Sequence, residues 1–166
     1  MSMAEALIME IEQESRTTRA VLDRVPEDKL TWKPHEKSMS LGQLAHHVAT
    51  IPGGIAQAAS LNGMDFSQFT PPPQPETTAG IIAEFEQNVA LAKQLVGGMD
   101  DAKMAQTWTL TNGEKTVMAV PRAGFVRFIL CNHLYHHRGQ LSVYLRLLNV
   151  PVPSIYGPSA DENPFA

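Results

Sequence analysis

The stretch PRAGFVRFILCNHLYHHRGQLSVYLRLL, residues 121–148, decides the fold. Its proline suits the first turn of a helix, and nothing after it interrupts the helical pattern except Gly139. A helix of that span is about 42 Å long at 1.5 Å per residue. Because it is apolar on most sides, other helices or a second subunit must cover it. The stretch therefore predicts a long central helix in an all-α protein.

Three further helices are predicted upstream by apolar residues at helical spacing. Ser40 and Gln43 form a capping-box pattern that begins one of them, because hydroxyl and amide can satisfy each other's free backbone donors. Pro52 should kink or weaken the same helix. The three predicted spans are residues 3–23, residue 41 into the fifties, and a helix capped by Thr77 or Thr78 that ends at Gly97-Gly98.

The segments between these helices carry turn and breaker signals. Residues 61–76 contain Pro71-Pro72-Pro73 and Pro75 and are predicted to be a loop. Residues 106–120 are rich in threonine and contain Asn112-Gly113, which predicts a short irregular or hairpin excursion before the last helix. A proline-rich tail covers about 150–166. The expected fold is thus all-α, a four-helix bundle forming a single domain over residues 1–166.

Composition and charge indicate which partners and which cellular compartment to expect. The net charge is −4 with lysine and arginine scattered, so we expect no nucleic-acid partner. No run of eighteen or more apolar residues is present, and the first fifteen residues carry four glutamates, so we expect neither a membrane span nor a secretory signal. The single cysteine, Cys131, suits a reducing, cytoplasmic location; it is interpreted as a buried apolar residue or a soft metal ligand.

Histidines supply the chemical signal. Five of the six fall in two groups, His46-His47 and the trio His133, His136 and His137. His133 and His137 are four residues apart, so they project from one helix face with Cβ atoms about 5–6 Å apart. Two imidazoles at that separation can reach one metal ion. Their face is otherwise apolar and is expected to point inward.

Periodicity also ranks the other histidines. His47 shares an apolar stripe of its helix, whereas His46 lies on a more polar face; His136 remains a substitute for one of the pair on the last helix. His47, His133 and His137 are therefore the predicted ligands of a divalent transition metal, zinc or nickel first and iron as an alternative. Three neutral imidazoles would leave positions open for water or substrate. The alternative interpretation is a hydrogen-bonded histidine cluster that holds no ion.

Five other side chains are candidates for supporting roles. Gln140 could orient an imidazole from behind. Tyr144 is either a donor to substrate or a core aromatic residue with a satisfied hydroxyl. Arg138 is interpreted as exposed or paired across a dimer, or as an anion-binding residue. Trp32 and Trp108 either line a pocket or pack in the core or an interface. No catalytic residue and no general base is assigned.

Two motifs carry a resemblance to a known family. They are WKPHEKSMSLGQLAHH (residues 32–47) and NHLYHHRGQL (residues 132–141), and the segment 151–161 fits the same pattern. Together they resemble the DinB family, whose relatives include YfiT-like proteins and thiol-dependent S-transferases. The resemblance implies a four-helix bundle, often a homodimer, with a metal triad that falls on His47, His133 and His137.

The resemblance and the predicted site together suggest a function. A divalent ion on three neutral ligands can act as a Lewis acid or bind a thiolate. We expect a metal-dependent enzyme that transfers a low-molecular-weight thiol cosubstrate to a small electrophile. The alternatives are a metal-dependent hydrolase of a small molecule and a non-catalytic metal- or ligand-binding dimer of the stress response. The expected partners are a small-molecule substrate and a second copy of the chain.

Overall fold

Capping residues set the boundaries of the helices in the computed structural model, which describes residues 1–68 and 73–166. The Ser40 hydroxyl accepts from the backbone N–H of Gln43, and the Gln43 side-chain oxygen accepts from the backbone N–H of Ser40. The predicted capping box is therefore confirmed. Ser2 and Glu5 form a second one. The first four α-helices are α1 Met3–Leu22, α2 Leu41–Ser60, α3 Thr78–Gly97 and α4 Asp101–Ala105.

The last helical segment is not one uninterrupted α-helix, so that prediction is wrong in detail. It begins as α5, Arg122–Phe125, continues as a π-helix over Val126–Asn132, and becomes α6 over His133–Leu147. In a π-helix each backbone N–H bonds one residue further back than in an α-helix, and such segments occur most often at functional sites. Here the π-helix ends where the first histidine of the trio begins α6.

Helix α2 lies at the centre of the packing. It packs against α3 and α6, while α1 packs against α3. One core group joins the start of α2 to α6 through fully buried leucines such as Leu41, Leu44 and Leu141. Despite Pro52, α2 continues to Ser60. Within the described residues, no helix combines the length and apolarity needed to cross a membrane.

A three-stranded sheet stands where an irregular or hairpin excursion was expected, so the all-α prediction is confirmed only in its helical part. The hairpin is confirmed: strand β2, Thr107–Asn112, pairs antiparallel with strand β3, Lys115–Pro121, around Gly113, which has a positive φ of 59°. Strand β1, Gly63–Asp65, pairs parallel to β2, which corrects the loop predicted for residues 61–76. That loop's residues 69–72 lie outside the described residues.

Two fully buried side chains tie this sheet to the end of α2. The indole N–H of Trp108 donates to the carbonyl of Ala58 over 2.9 Å. The Arg122 guanidinium donates to the carbonyls of Ala59 and Leu61. Helix ends leave such carbonyls without partners inside the helix, so Arg122 caps α2 from outside. The start of the last helical segment is thereby fixed against α2.

A buried ion pair fixes α6 against α1. Arg138 is 1% exposed, and its Nη1 lies 2.7 Å from Oε2 of Glu14, which is 9% exposed. Its Nη2 donates to the Tyr156 hydroxyl over 2.6 Å, and that hydroxyl donates to Glu14. The interpretation of Arg138 as exposed, dimer-paired or anion-binding is therefore wrong. Its partner lies in α1, far away in the sequence, where periodicity cannot indicate it.

Removing one partner of a buried pair leaves an uncompensated charge. We therefore expect Arg138→Ala to lower the free energy of unfolding by about 3–5 kcal/mol. The matched control is Arg146→Ala on the same helix, because Arg146 pairs with Asp161 at the surface and exposed pairs contribute about 1 kcal/mol or less. Urea denaturation of both variants measures the difference. Equal losses would contradict the structural role assigned to Arg138.

Candidate metal centre

The packing of α2 on the last helical segment brings three histidines together. His47 lies in the second turn of α2, on the side that faces α6. His133 is the first residue of α6, and His137 follows one turn later on the same face. Each side chain is partly buried. These are the three residues that the sequence predicted as ligands.

The ring nitrogens converge on one point. Nε2 of His133 lies 3.3 Å from Nε2 of His47 and 2.7 Å from Nε2 of His137. One potential ligand atom from each residue lies within 4.8 Å of the others. Nitrogens bonded to a tetrahedral ion at 2.0–2.1 Å are about 3.3–3.4 Å apart. The first spacing matches that value, and the second would have to open by about 0.6 Å.

Gln140 holds one imidazole from behind, the role that the sequence suggested for it. Its Oε1 lies 2.7 Å from Nδ1 of His137. A carbonyl oxygen only accepts, so Nδ1 carries the hydrogen and Nε2 presents a lone pair. A hydrogen bond of this kind, behind a ligand, fixes the tautomer and raises ligand basicity. His137 is thus prepared to bind a cation through Nε2.

Hydrogen bonds among the three rings cannot pair all three Nε2 atoms at once. A neutral imidazole nitrogen either donates one hydrogen or accepts with one lone pair. Nε2 of His133 faces two other Nε2 atoms, so it can bond to only one of them. A cation would accept all three lone pairs at once. The geometry is therefore compatible with a metal ion, whereas a hydrogen-bonded cluster would leave one Nε2 without a partner among the three rings.

Burial keeps these imidazoles neutral. Desolvation, helped by the neighbouring histidines, lowers the pKa of His47 and of His133 to about 4. Desolvation also lowers the pKa of His137, although its bond to Gln140 opposes the shift. At pH 7 all three rings are therefore unprotonated, which is the form that binds metals.

The other two clustered histidines lie outside this group. Nε2 of His46 is 3.0 Å from Oε2 of Glu84 on α3, and its buried Nδ1 has no hydrogen-bond partner among the described residues. His136 is exposed, with its ring centre 4.8 Å from that of His137. The structure therefore favours His47 over His46, and His133 and His137 over His136, as periodicity predicted.

The other side chains considered for supporting roles lie in the core or in the wall of a cavity. The Tyr144 hydroxyl donates to the carbonyl of Met39, and its ring packs edge-to-face on Trp32, so the core interpretation fits both aromatic residues. Cys131 is buried, and burial raises the pKa of its thiol to about 11, which disfavours the thiolate that a metal needs. Trp108 contributes to the wall of a cavity.

A cavity of about 740 Å³ opens beside His47 and His133. Apart from Trp108, the sequence did not indicate its wall, because the wall combines α2, the π-helix and the sheet, which only the folded chain brings together. Alternating apolar residues in β2 were a further available signal. The missed wall residues include Met64, Phe66, Leu110 and Phe128.

The lowered histidine pKa values predict how the stability of the metal-free protein depends on pH. Unfolded imidazoles bind protons near pKa 6.5, but His47 and His133 do so near 4. Below pH 6.5 the unfolded state takes up protons that the folded state refuses, so the free energy of unfolding falls between about pH 6.5 and 4. Urea denaturation at pH 7.5 and pH 5 measures this.

The variant His47→Gln should flatten that pH dependence. His35→Gln, which changes an exposed histidine outside the cluster, should leave it as in the wild type. Equal stability of the wild type at the two pH values would contradict the neutral, desolvated state of the cluster.

Comparisons with known proteins agree with this fold. The chain is 25% identical over 153 residues to YrdA of Bacillus subtilis (strain 168), covering 91% of this chain and 86% of that protein. It superposes on a DinB-like protein from Bacillus cereus ATCC 10987 with a TM-score of 0.73 at 20% identity, over 92% and 97% of the two chains. It superposes on a putative DinB member from Exiguobacterium sibiricum 255-15 with a TM-score of 0.65 at 22% identity, over 97% of each chain. Residues 1–164 match the DinB family as a whole, and the chain belongs to that family.

Proposed function

We propose that His47, His133 and His137 bind a divalent transition metal, zinc or nickel first and iron as an alternative. In this proposal the protein uses the metal to transfer a low-molecular-weight thiol to a small electrophile. One observation carries the metal site: three Nε2 atoms from two helices converge on a point where hydrogen bonds cannot satisfy them all. Membership of the DinB family is compatible with it.

Bound there, the ion would supply a Lewis acid that favours the thiolate over the thiol. The chain's own residues complete the site. Gln140 holds the ring of His137, and burial keeps the three imidazoles neutral. Three protein ligands leave at least one position for a reactant, whereas structural zinc sites use four.

His136 is the proposed proton acceptor. It is exposed, lines the cavity and lies outside the three-histidine group. With a halide as electrophile, the sulfur would form its bond to the electrophilic carbon as the carbon–halogen bond breaks and halide ion leaves, while His136 takes the thiol proton. No carboxylate lines the cavity in the described part of the chain, and zinc hydrolases commonly use a glutamate base. This difference favours thiol transfer over hydrolysis.

The proposal also includes a four-helix bundle and a homodimer. We assign the segments α1, α2, α3 and α5–α6 to the four helices of a bundle, with the sheet as an addition. Val143 and Leu147 on α6 are both more than half exposed, which supports a homodimer through that helix. If the proposed homodimer is wrong, sedimentation at micromolar concentration will show only a monomer.

Metal content tests the site directly. Protein produced without a histidine tag, loaded with Zn²⁺ and then exchanged into buffer, should hold about one ion per chain. His47→Ala and His133→Ala should each hold less than about a tenth of that, because two imidazoles bind far more weakly than three. Elemental analysis gives the stoichiometry, and circular dichroism checks that each variant folds.

The matched control is His46→Ala, which removes the neighbouring histidine but none of the three ligands. It should keep the wild-type stoichiometry, because His46 pairs with Glu84 on α3. Undiminished metal in both His47→Ala and His133→Ala would remove the proposed site.

Turnover separates an enzyme from a binding protein. Metal-loaded protein, given a panel of small thiols with aryl and alkyl halides, should produce thioethers, and His47→Ala should not. His136→Ala should keep its metal but react about 10²-fold more slowly, the usual contribution of a positioned proton acceptor. A second panel of esters and amides, tested without a thiol, examines the hydrolase alternative, which cleavage would support. If neither panel reacts, the result would support a binding protein.

A further inference from the structure

The cavity beside the histidines has the size of a small-molecule site. Its volume of about 740 Å³ lies within the roughly 300–1,000 Å³ of cavities that bind small organic ligands. His47 and His133 form part of its wall, so a molecule held there lies next to the three Nε2 atoms. The reacting end of such a molecule would face the histidines.

The wall is mostly apolar, with a few polar side chains beside the histidines. Three of these polar side chains are within about one helical turn of His47 or His133: Thr50, Asn132 and His136. The apolar part combines aliphatic and aromatic side chains from α2, the π-helix and the strands: Ile51, Ile55, Met64, Leu110, Phe128 and Ile129. A ligand that matches this wall has one polar reacting group on a larger apolar body.

No lysine, arginine, aspartate or glutamate lines the cavity among the described residues. Arg127 lies close by in the sequence, but its guanidinium is held by Glu10 and by the Asn132 side chain. A charged group placed in an apolar cavity without a partner loses its hydration and gains nothing in return, so such a cavity rejects it. The body of the ligand is therefore uncharged.

One part of the wall is rigid. The rings of Trp108 and Phe125 stack with centres 3.5 Å apart and planes 16° from parallel, and the indole of Trp108 is also held by its bond to Ala58. Both side chains are buried, so they support the cavity from behind and do not offer their ring faces to a ligand. The accessible aromatic surface of the wall belongs to Phe66 and Phe128, which suit an apolar ligand.

We propose that this cavity binds the electrophile of the transfer reaction, an uncharged molecule with an apolar body, and that the thiol approaches from the open, solvent side near His136. The inference rests on the proposed function for the identity of the two reactants. Small biological thiols with carboxylates are hydrophilic, so the apolar cavity suits the electrophile and not the thiol. The cavity then determines which electrophiles react.

Calorimetric titration of the metal-free protein tests the inference with two probes of the same ring system. Naphthalen-2-ylmethanol is neutral, and 2-naphthoate carries a carboxylate. We expect the alcohol to bind at least tenfold more tightly than the carboxylate. Equal or tighter binding of the carboxylate, or no binding of the alcohol up to its solubility limit, would overturn the inference.

Two variants locate the binding. A Cβ at Gly54 would meet nothing within 4 Å, and Gly54 shares the helix face of His47 and Thr50, so Gly54→Phe should fold and cover the cavity mouth. It should weaken binding of the alcohol at least tenfold. Ala83→Phe, at an exposed position on α3 away from the cavity, should leave it unchanged.

Leu110→Lys places a cation in the wall at a partly exposed strand position and should reverse the preference toward 2-naphthoate. Wild-type binding in both Gly54→Phe and Leu110→Lys would overturn the inference. The titration uses no metal, so it is independent of the metal-content test. Metal retained by the histidine variants would contradict the proposed function alone, and failure of the alcohol to bind would contradict this inference alone.

Discussion

The site depends on one constraint: three imidazole nitrogens meet at a point where hydrogen bonds among the rings cannot pair all of them. Nε2 of His133 faces both His47 and His137, and it can bond to only one of them as a neutral ring. Protonating the cluster is also unfavourable, since burial lowers the pKa of His47 and His133 to about 4. A divalent cation relieves both problems, because it takes up all three lone pairs and needs neutral ligands.

The fold maintains this convergence with polar contacts that lie away from the site. Arg122 caps the end of α2, and Trp108 bonds to the same helix end, so the last helical segment starts at a fixed place. Arg138 pairs with Glu14 on the far side of α6 and fixes its rotation. Between them the π-helix resets the helical register immediately before His133. The two helices that carry the three histidines are thus held at several points.

Periodicity and capping were enough to predict the long helices and the three histidines, because both are local properties of the sequence. His47 was separated from His46 by its apolar stripe alone. The π-helix was not predictable, since it differs from an α-helix by one hydrogen-bond position and depends on what packs around it. The parallel pairing of Gly63 with Thr109 and the burial of Arg138 join residues distant in sequence, and so they also escaped prediction.

X-ray absorption spectroscopy of the protein loaded with one equivalent of Zn²⁺ tests the central claim most directly, because it reports the atoms around the ion. We expect three imidazole nitrogens at about 2.0–2.1 Å, with the remaining positions taken by a light exchangeable ligand. A sulfur neighbour near 2.3 Å would point to Cys131. That result, or fewer than three imidazoles, would contradict the convergence of His47, His133 and His137 on one ion.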